Sequence, residues 1–196
     1  MKESLNLTTI IKKLKEKEIS LFTFSDFKRL FQIKKENTAY KILERLTKRG
    51  ILRRLVKKKY LFVFSESEDF QIANFLYSPS YISLESALSF YGIITQFPYQ
   101  ITSITPKKTK TIKTLNKEFS YSHIKPELFF GYEKKEKFLI ATKEKAFFDY
   151  LYFCSKGLRR FEKDDFDLNL INKKKFFSLL KEVKQEKLGE FLNYDK

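Results

Sequence analysis

Residues Thr23–Phe64, TFSDFKRLFQIKKENTAYKILERLTKRGILRRLVKKKYLFVF, decide how the first part of the chain folds. Thr23 followed three residues later by Asp26 is a capping-box-like helix start, and Phe24, Phe27, Leu30 and Phe31 then share one helical face. A short connector, Gln32-Ile33-Lys34-Lys35, leads to a second periodic stretch with Ala39, Ile42, Leu43 and Leu46 in register, stopped by Gly50. Ile51–Phe64 is β-rich at both ends with Lys57, Lys58 and Lys59 between, which reads as a hairpin with a basic tip. Upstream, Leu7, Ile10, Ile11 and Leu14 repeat the helical stripe once more.

Three short helices followed by a basic hairpin are the order of a winged helix-turn-helix, here expected over residues 1–66. In such folds the last helix enters the major groove and reads base edges. Its outward residues here are Asn37, Thr38, Tyr40, Lys41, Glu44, Arg45 and Lys48. Lys41 and Arg45 are like charges at i, i+4, a pair that a row of phosphates would relieve. Asn, Thr and Arg can hydrogen-bond base edges. Arg53, Arg54, Lys57, Lys58 and Lys59 would form the wing, and Lys34 and Lys35 lead into the reading helix. The same topology also serves in protein-interaction modules.

Charge placement favours nucleic acid. The 196 residues hold 40 Lys and Arg against 24 Asp and Glu, net +16. Residues 1–64 carry 18 basic and six acidic side chains, so three quarters of the excess sits in the first third of the chain. A basic segment this compact suits a polyanion, the alternative being a solvated face kept for solubility. Hydrophobic content of 42% is that of a folded chain, and no apolar run reaches the ~18 residues of a membrane span. Met1-Lys-Glu-Ser does not open a signal peptide, and a lone Cys154 makes neither an internal disulfide nor a CxxC zinc site. A cytoplasmic protein without membrane contact is expected.

Residues 70–196 read as a mixed helix–sheet–helix domain, giving an α+β chain overall. After an acidic linker, Ser65–Asp69, a short helix is expected over Phe70–Tyr77, and Ser83 is expected to cap a helix ending at Gly92. Four strands are expected at Ile101–Thr105, Thr109–Thr114, Glu118–His123 and Leu128–Tyr132, with a turn at Leu115-Asn116. Thr142 should cap a central apolar helix, Lys143–Cys154, and a last helix should run from about Lys173 to Leu188.

Chemistry in that domain is sparse. His123 is the single histidine, and there is no GxSxG, GxGxxG or P-loop. His123 reads as structural and Cys154 as a thiol on an apolar stripe. Glu133-Lys134-Lys135, with Glu127, Glu144 and Asp149, is the one pattern a Mg²⁺-dependent nuclease would use, but an ExK arises often by chance in so charged a chain. No catalytic, metal or cofactor residue is assigned, and the protein is expected not to be an enzyme. Phe129, Phe130 and Tyr132 read as core.

Several segments resemble the AbiEi family of antitoxins. Ser78-Pro-Ser-Tyr-Ile-Ser-Leu-Glu-Ser-Ala-Leu-Ser-Phe-Tyr-Gly-Ile93 is similar to the opening of that family's C-terminal domain, and Thr102–Thr109 with Phe119–Tyr132 to its sheet. Ala141-Thr-Lys-Glu-Lys-Ala-Phe-Phe-Asp-Tyr-Leu-Tyr-Phe153 is similar to its E-K-A-x-x-D-x-L helix, and Gly50-Ile-Leu-Arg-Arg-Leu55 with Tyr60 to its wing. The resemblance covers roughly residues 5–155. It implies a transcriptional regulator and antitoxin of a type IV toxin–antitoxin system, which binds inverted repeats in its own promoter and self-associates there. It also implies a neighbouring nucleotidyltransferase toxin, countered without a stable complex. Two features depart from the family: Lys57-Lys58-Lys59 stands where relatives carry Arg-Gly, and the tail after about Phe161 matches less clearly.

Overall fold

The side chain of Asn6 accepts the amide of Thr9 at 2.8 Å and opens the first helix, α1 (Leu7–Glu16), whose Ile10 and Leu14 are buried. The computed structural model describes residues 6–96 and 98–192; residues 1–5, Phe97 and 193–196 of the two expected domains lie outside the described residues. The protein is α+β and divides into two units, 1–76 and 77–196. No helix among the described residues is long and apolar enough to cross a membrane.

In the first unit α1 is followed by β1 (Leu21–Thr23), α2 (Phe24–Leu30), α3 (Glu36–Lys48), β2 (Leu52–Val56), β3 (Lys59–Phe62) and α4 (Asp69–Leu76). The three strands form an antiparallel sheet in the order β1-β3-β2. Its core is one cluster, in which Ile10, Phe27, Ala39, Leu46 and Phe62 are wholly buried. Each of these side chains except the small Ala39 stabilises the fold by roughly 1.5–3 kcal/mol. The three expected helices and the hairpin are present, and β1 is an addition. Helix α4, expected to begin the second domain, belongs instead to the first unit. Lys59 Nζ donates to its last carbonyls, those of Phe75 (2.5 Å) and Leu76 (3.1 Å), and thereby satisfies groups that a helix end leaves open.

The second unit holds a six-stranded mixed sheet in the order β6-β7-β5-β4-β9-β8. Its strands are β4 (Tyr81–Ile82), β5 (Ile101–Thr105), β6 (Lys110–Thr114), β7 (Lys117–His123), β8 (Tyr132–Lys135) and β9 (Phe138–Ala141). The helices are α5 (Leu84–Phe90), α6 (Lys143–Ser155) and α7 (Lys173–Glu182). Leu115 and Asn116 both take positive φ, +56° and +58°, and close the β6–β7 hairpin as expected. The expected strand over Leu128–Tyr132 is not one. Pro126–Leu128 is a 3₁₀ turn, Gly131 sits at φ +71°, and the strand begins only at Tyr132 to pair with β9. The last helix ends at Glu182 rather than Leu188, because Lys184 turns left-handed (φ +54°) and 3₁₀ geometry follows.

α6 is the centre of this unit, with Ala146, Phe147, Phe148 and Leu151 buried along with two charged groups. Lys145 and Asp149, 1% and 0% exposed, form an ion pair one helical turn apart. Lys145 Nζ also donates to the Tyr81 hydroxyl (2.9 Å), while Tyr81 (3.0 Å) and Ser83 (2.7 Å) donate to the other carboxylate oxygen. Ser83, the residue before α5, therefore makes no side-chain cap and spends its hydroxyl on Asp149. Burial pushes the Lys145 ammonium down and the Asp149 carboxyl up, and their mutual attraction opposes both shifts. Gly131 passes over the lysine stem: a Cβ there would lie 2.9 Å from Lys145 Cγ.

Removing one partner leaves the other buried and unpaired. Asp149→Ala is expected to destabilise the second unit by about 3–5 kcal/mol in urea denaturation. Adding Lys145→Met should recover only part of that loss, because the Tyr81 and Ser83 hydroxyls still lack their acceptor.

Candidate nucleic-acid interface

The capping box anticipated at Thr23 forms in full. The Asp26 amide donates to Thr23 Oγ1 (3.1 Å), while the Thr23 amide (3.1 Å) and hydroxyl (2.7 Å) donate to Asp26 Oδ2. Partial burial raises the Asp26 carboxyl, but the Thr23 bonds and the Arg29 charge outweigh it and hold the group below its ordinary value. α2 ends where Gln32 takes φ +52° and the Ile33 amide reaches back to the Lys28 carbonyl (2.9 Å). That turn carries exposed Lys34 and Lys35 and leads into α3.

α3 buries Ala39, Leu43 and Leu46 and exposes Asn37, Thr38, Tyr40, Lys41, Glu44, Arg45 and Lys48. The 3.6-residue period dictates the split. Tyr40, 39% exposed, stacks on Phe24 with centroids 4.1 Å apart, so one face of its ring is committed to packing and its edge faces outward. Glu44 is the one acidic residue in the middle of this face. It pairs with Lys48 at 2.8 Å, and that hydrogen bond holds its carboxyl below the ordinary range.

The hairpin stands beside α3. Arg53 and Arg54 are exposed on β2, with a bulge between Arg54 and Val56. Lys57 and Lys58 form the two-residue tip, and Lys58 adopts φ +64° without being glycine. The tip is pinned: the Phe24 amide donates to the Lys58 carbonyl at 2.9 Å, and Lys58 Nζ lies 5.9 Å from the Phe24 ring. Tyr40, Glu44, Lys48, Arg54, Lys57 and Lys58 line one concave surface of about 440 Å³ between helix and hairpin.

Lys34 lines a second concavity with Lys28 and Arg29 of α2. These two cations were outside the sequence reading, and their position in the last turn of α2 was the available signal. Lys28 pairs with Glu36 (3.5 Å) and Arg29 with Asp26 (2.8 Å). One expected wing residue is reassigned. Lys59 is occupied by the α4 carbonyls, so its ammonium serves the fold of this unit rather than the exposed tip.

The second unit's candidate carboxylates are already engaged with neighbouring groups. Glu133 pairs with Lys135 (3.6 Å), Glu127 with Lys125 (3.9 Å), and Glu144 accepts the Asn172 amide (3.2 Å). Asp149 is sealed against Lys145 and takes no part in the ExK, whereas burial, the charge of Glu133 and a hydrogen bond with it, and the nearby Glu144 charge raise the Tyr91 hydroxyl to about 12. Among the described residues no three His, Cys, Asp or Glu side chains are grouped to hold a metal ion. Burial raises the Cys154 thiol to about 11, away from the thiolate. Phe129 and Tyr132 pack with Tyr81, and Phe130 lies over Lys145 Nζ, although Tyr132 keeps 38% exposure. No protein-family model and no curated protein matches the chain.

The strained tip makes a separable test. Lys58→Gly removes a left-handed non-glycine residue, a cost of about 1–2 kcal/mol, together with one cation. Thermal denaturation is expected to show a more stable protein, while affinity for duplex DNA falls.

Proposed function

We propose that the protein is a DNA-binding transcriptional autorepressor and antitoxin whose first unit is a winged helix-turn-helix. The observation that carries this reading is the concavity between α3 and the hairpin tip, where Lys48, Arg54, Lys57 and Lys58 stand with Glu44, together with Lys41 and Arg45 exposed on the same helix. A 13-residue helix is about 20 Å long and fits a major groove about 12 Å wide. Asn37, Thr38, Lys41 and Arg45 would face base edges and flanking phosphates. Lys34 and Lys35 would meet the backbone ahead of the helix, and Arg53 and the Lys57–Lys58 tip the backbone or a minor groove beside it. The pinned tip reduces the ordering cost of such a contact.

The antitoxin half is supported by the resemblance of the second unit's segments to AbiEi-family antitoxins. On that reading the operator is an inverted repeat in the protein's own promoter. The functional partner is a nucleotidyltransferase toxin encoded next door, opposed without a stable complex.

Mobility shifts with the upstream DNA and with random duplex, across a salt series, test the repressor. Wild type should prefer the upstream DNA, with an affinity that falls by about 0.9 log unit per log unit of salt for each phosphate neutralised. Lys41→Ala with Arg45→Ala should weaken specific binding at least about tenfold at unchanged melting temperature. Equal affinity for random duplex would remove the repressor. Co-expression with the neighbouring gene tests the antitoxin: growth should be rescued. Failure of rescue with DNA binding intact would leave a stand-alone regulator.

A further inference from the structure

The sheet of the second unit carries its own cationic end. β5 and β7 run parallel, and β6 pairs on the far side of β7, so the chain leaving β5 must cross the end of β7 to reach the sheet edge. The crossing loop is Pro106-Lys107-Lys108-Thr109 before Lys110. It is tied down at three points. His123 Nδ1 bonds the Lys107 carbonyl (2.9 Å), the Tyr77 hydroxyl donates to the Lys108 carbonyl (3.2 Å), and Lys107 Nζ donates to the Ser78 carbonyl (2.5 Å). The carbonyl fixes the histidine proton on Nδ1 and leaves Nε2 to the surface.

The charge there has few carboxylates near it in sequence, although Lys113, further along β6, pairs with Glu118 at 3.0 Å. From Ser86 to Lys117, 32 residues hold five lysines and no carboxylate, in a chain with 24 Asp and Glu. General lysine enrichment would not exclude acidic residues from so long a stretch. Lys125 joins the same end beside His123, and its partner Glu127 stands 3.9 Å away. The surface lined by Tyr77, Lys107, Lys108, Thr109 and His123 is a broad concavity of about 680 Å³. The Tyr77 ring has Lys107 and Lys110 ammonium groups 5.6 and 5.3 Å from its centroid, so it is taken up by cations rather than offered to a base.

We propose that the Lys107–Lys110 loop, with Lys125 and His123, is a second binding surface for the phosphodiester backbone of duplex DNA. A repeating row of phosphates suits an open lysine surface that lacks a base-stacking platform. The proposal rests on the DNA-binding reading of the first unit and adds a contact that the reading helix does not supply. Two linked contacts raise affinity through effective concentration, and a backbone contact does so without regard to sequence.

The test uses the full chain and a random-sequence duplex over a salt series. Lys108→Ala with Lys110→Ala should make the log–log salt slope shallower by about 0.9 for each phosphate no longer neutralised, and lower affinity severalfold at low salt. Lys108→Glu should act in the same direction. Both sites are exposed, so melting temperature serves as the folding control. Lys134→Ala with Lys137→Ala removes equal charge from the exposed β8–β9 hairpin and should leave the slope unchanged. An unchanged slope in the loop variants, or an equal change in the hairpin control, overturns the second surface. If Lys41→Ala with Arg45→Ala still weakens binding in that case, the first unit's role stands alone. If wild type binds no duplex, both readings fall.

Discussion

An ammonium and a carboxylate removed from water, Lys145 and Asp149, determine how the second unit is assembled. Taking both charges out of solvent costs several kcal/mol each, and only complete satisfaction makes such a pair tolerable. The satisfaction comes from residues far apart in sequence, Tyr81 on β4 and Ser83 before α5, so α6 can seat on the sheet in one register alone. Gly131 belongs to the same constraint, since the chain entering β8 crosses the lysine stem where a side chain has no room. The group is closed and lies within packed aromatic rings, which suits a fold-specifying core rather than a reactive centre.

The first unit solves an opposite problem. Its charges face solvent, and their mutual repulsion is tolerated because apolar packing on the other side holds each element: Leu43 and Leu46 under α3, Phe62 and Tyr60 under the hairpin. The hairpin tip, the part expected to move most in a free β-turn, is tied to the start of α2 through the Phe24 amide. Helix α3 and the tip thus share one support, the Thr23–Asp26 box and the Phe24–Tyr40 stack.

Much of this was legible from the sequence because long amphipathic helices announce themselves. α1, α2 and α3 follow their apolar spacing, and Thr23 with Asp26 caps as its pattern indicates. The exposed α3 residues follow from the same periodicity. Short or edge elements were not legible. β1 and β4 have three and two residues, too few for alternation to register. β8 is charged and exposed along its length, so the apolar Leu128–Tyr132 stretch drew the strand assignment away from it. Non-local partners were hidden as well. Nothing near Ser83 signals Asp149, 66 residues away, and nothing near Lys59 signals the carbonyls of Phe75 and Leu76. Gln32 and Lys58 turn left-handed without glycine, a conformation that tertiary contacts impose.

On the proposed function, α3 and the hairpin tip together meet duplex DNA. Backbone amide shifts of the full-length protein, followed by NMR as the upstream duplex is added at moderate salt, test it residue by residue. A DNA-reading first unit predicts that the amides of Asn37, Thr38, Lys41 and Arg45, together with Lys57 and Lys58, shift and saturate at one affinity. The same amides unmoved at saturating duplex would contradict it.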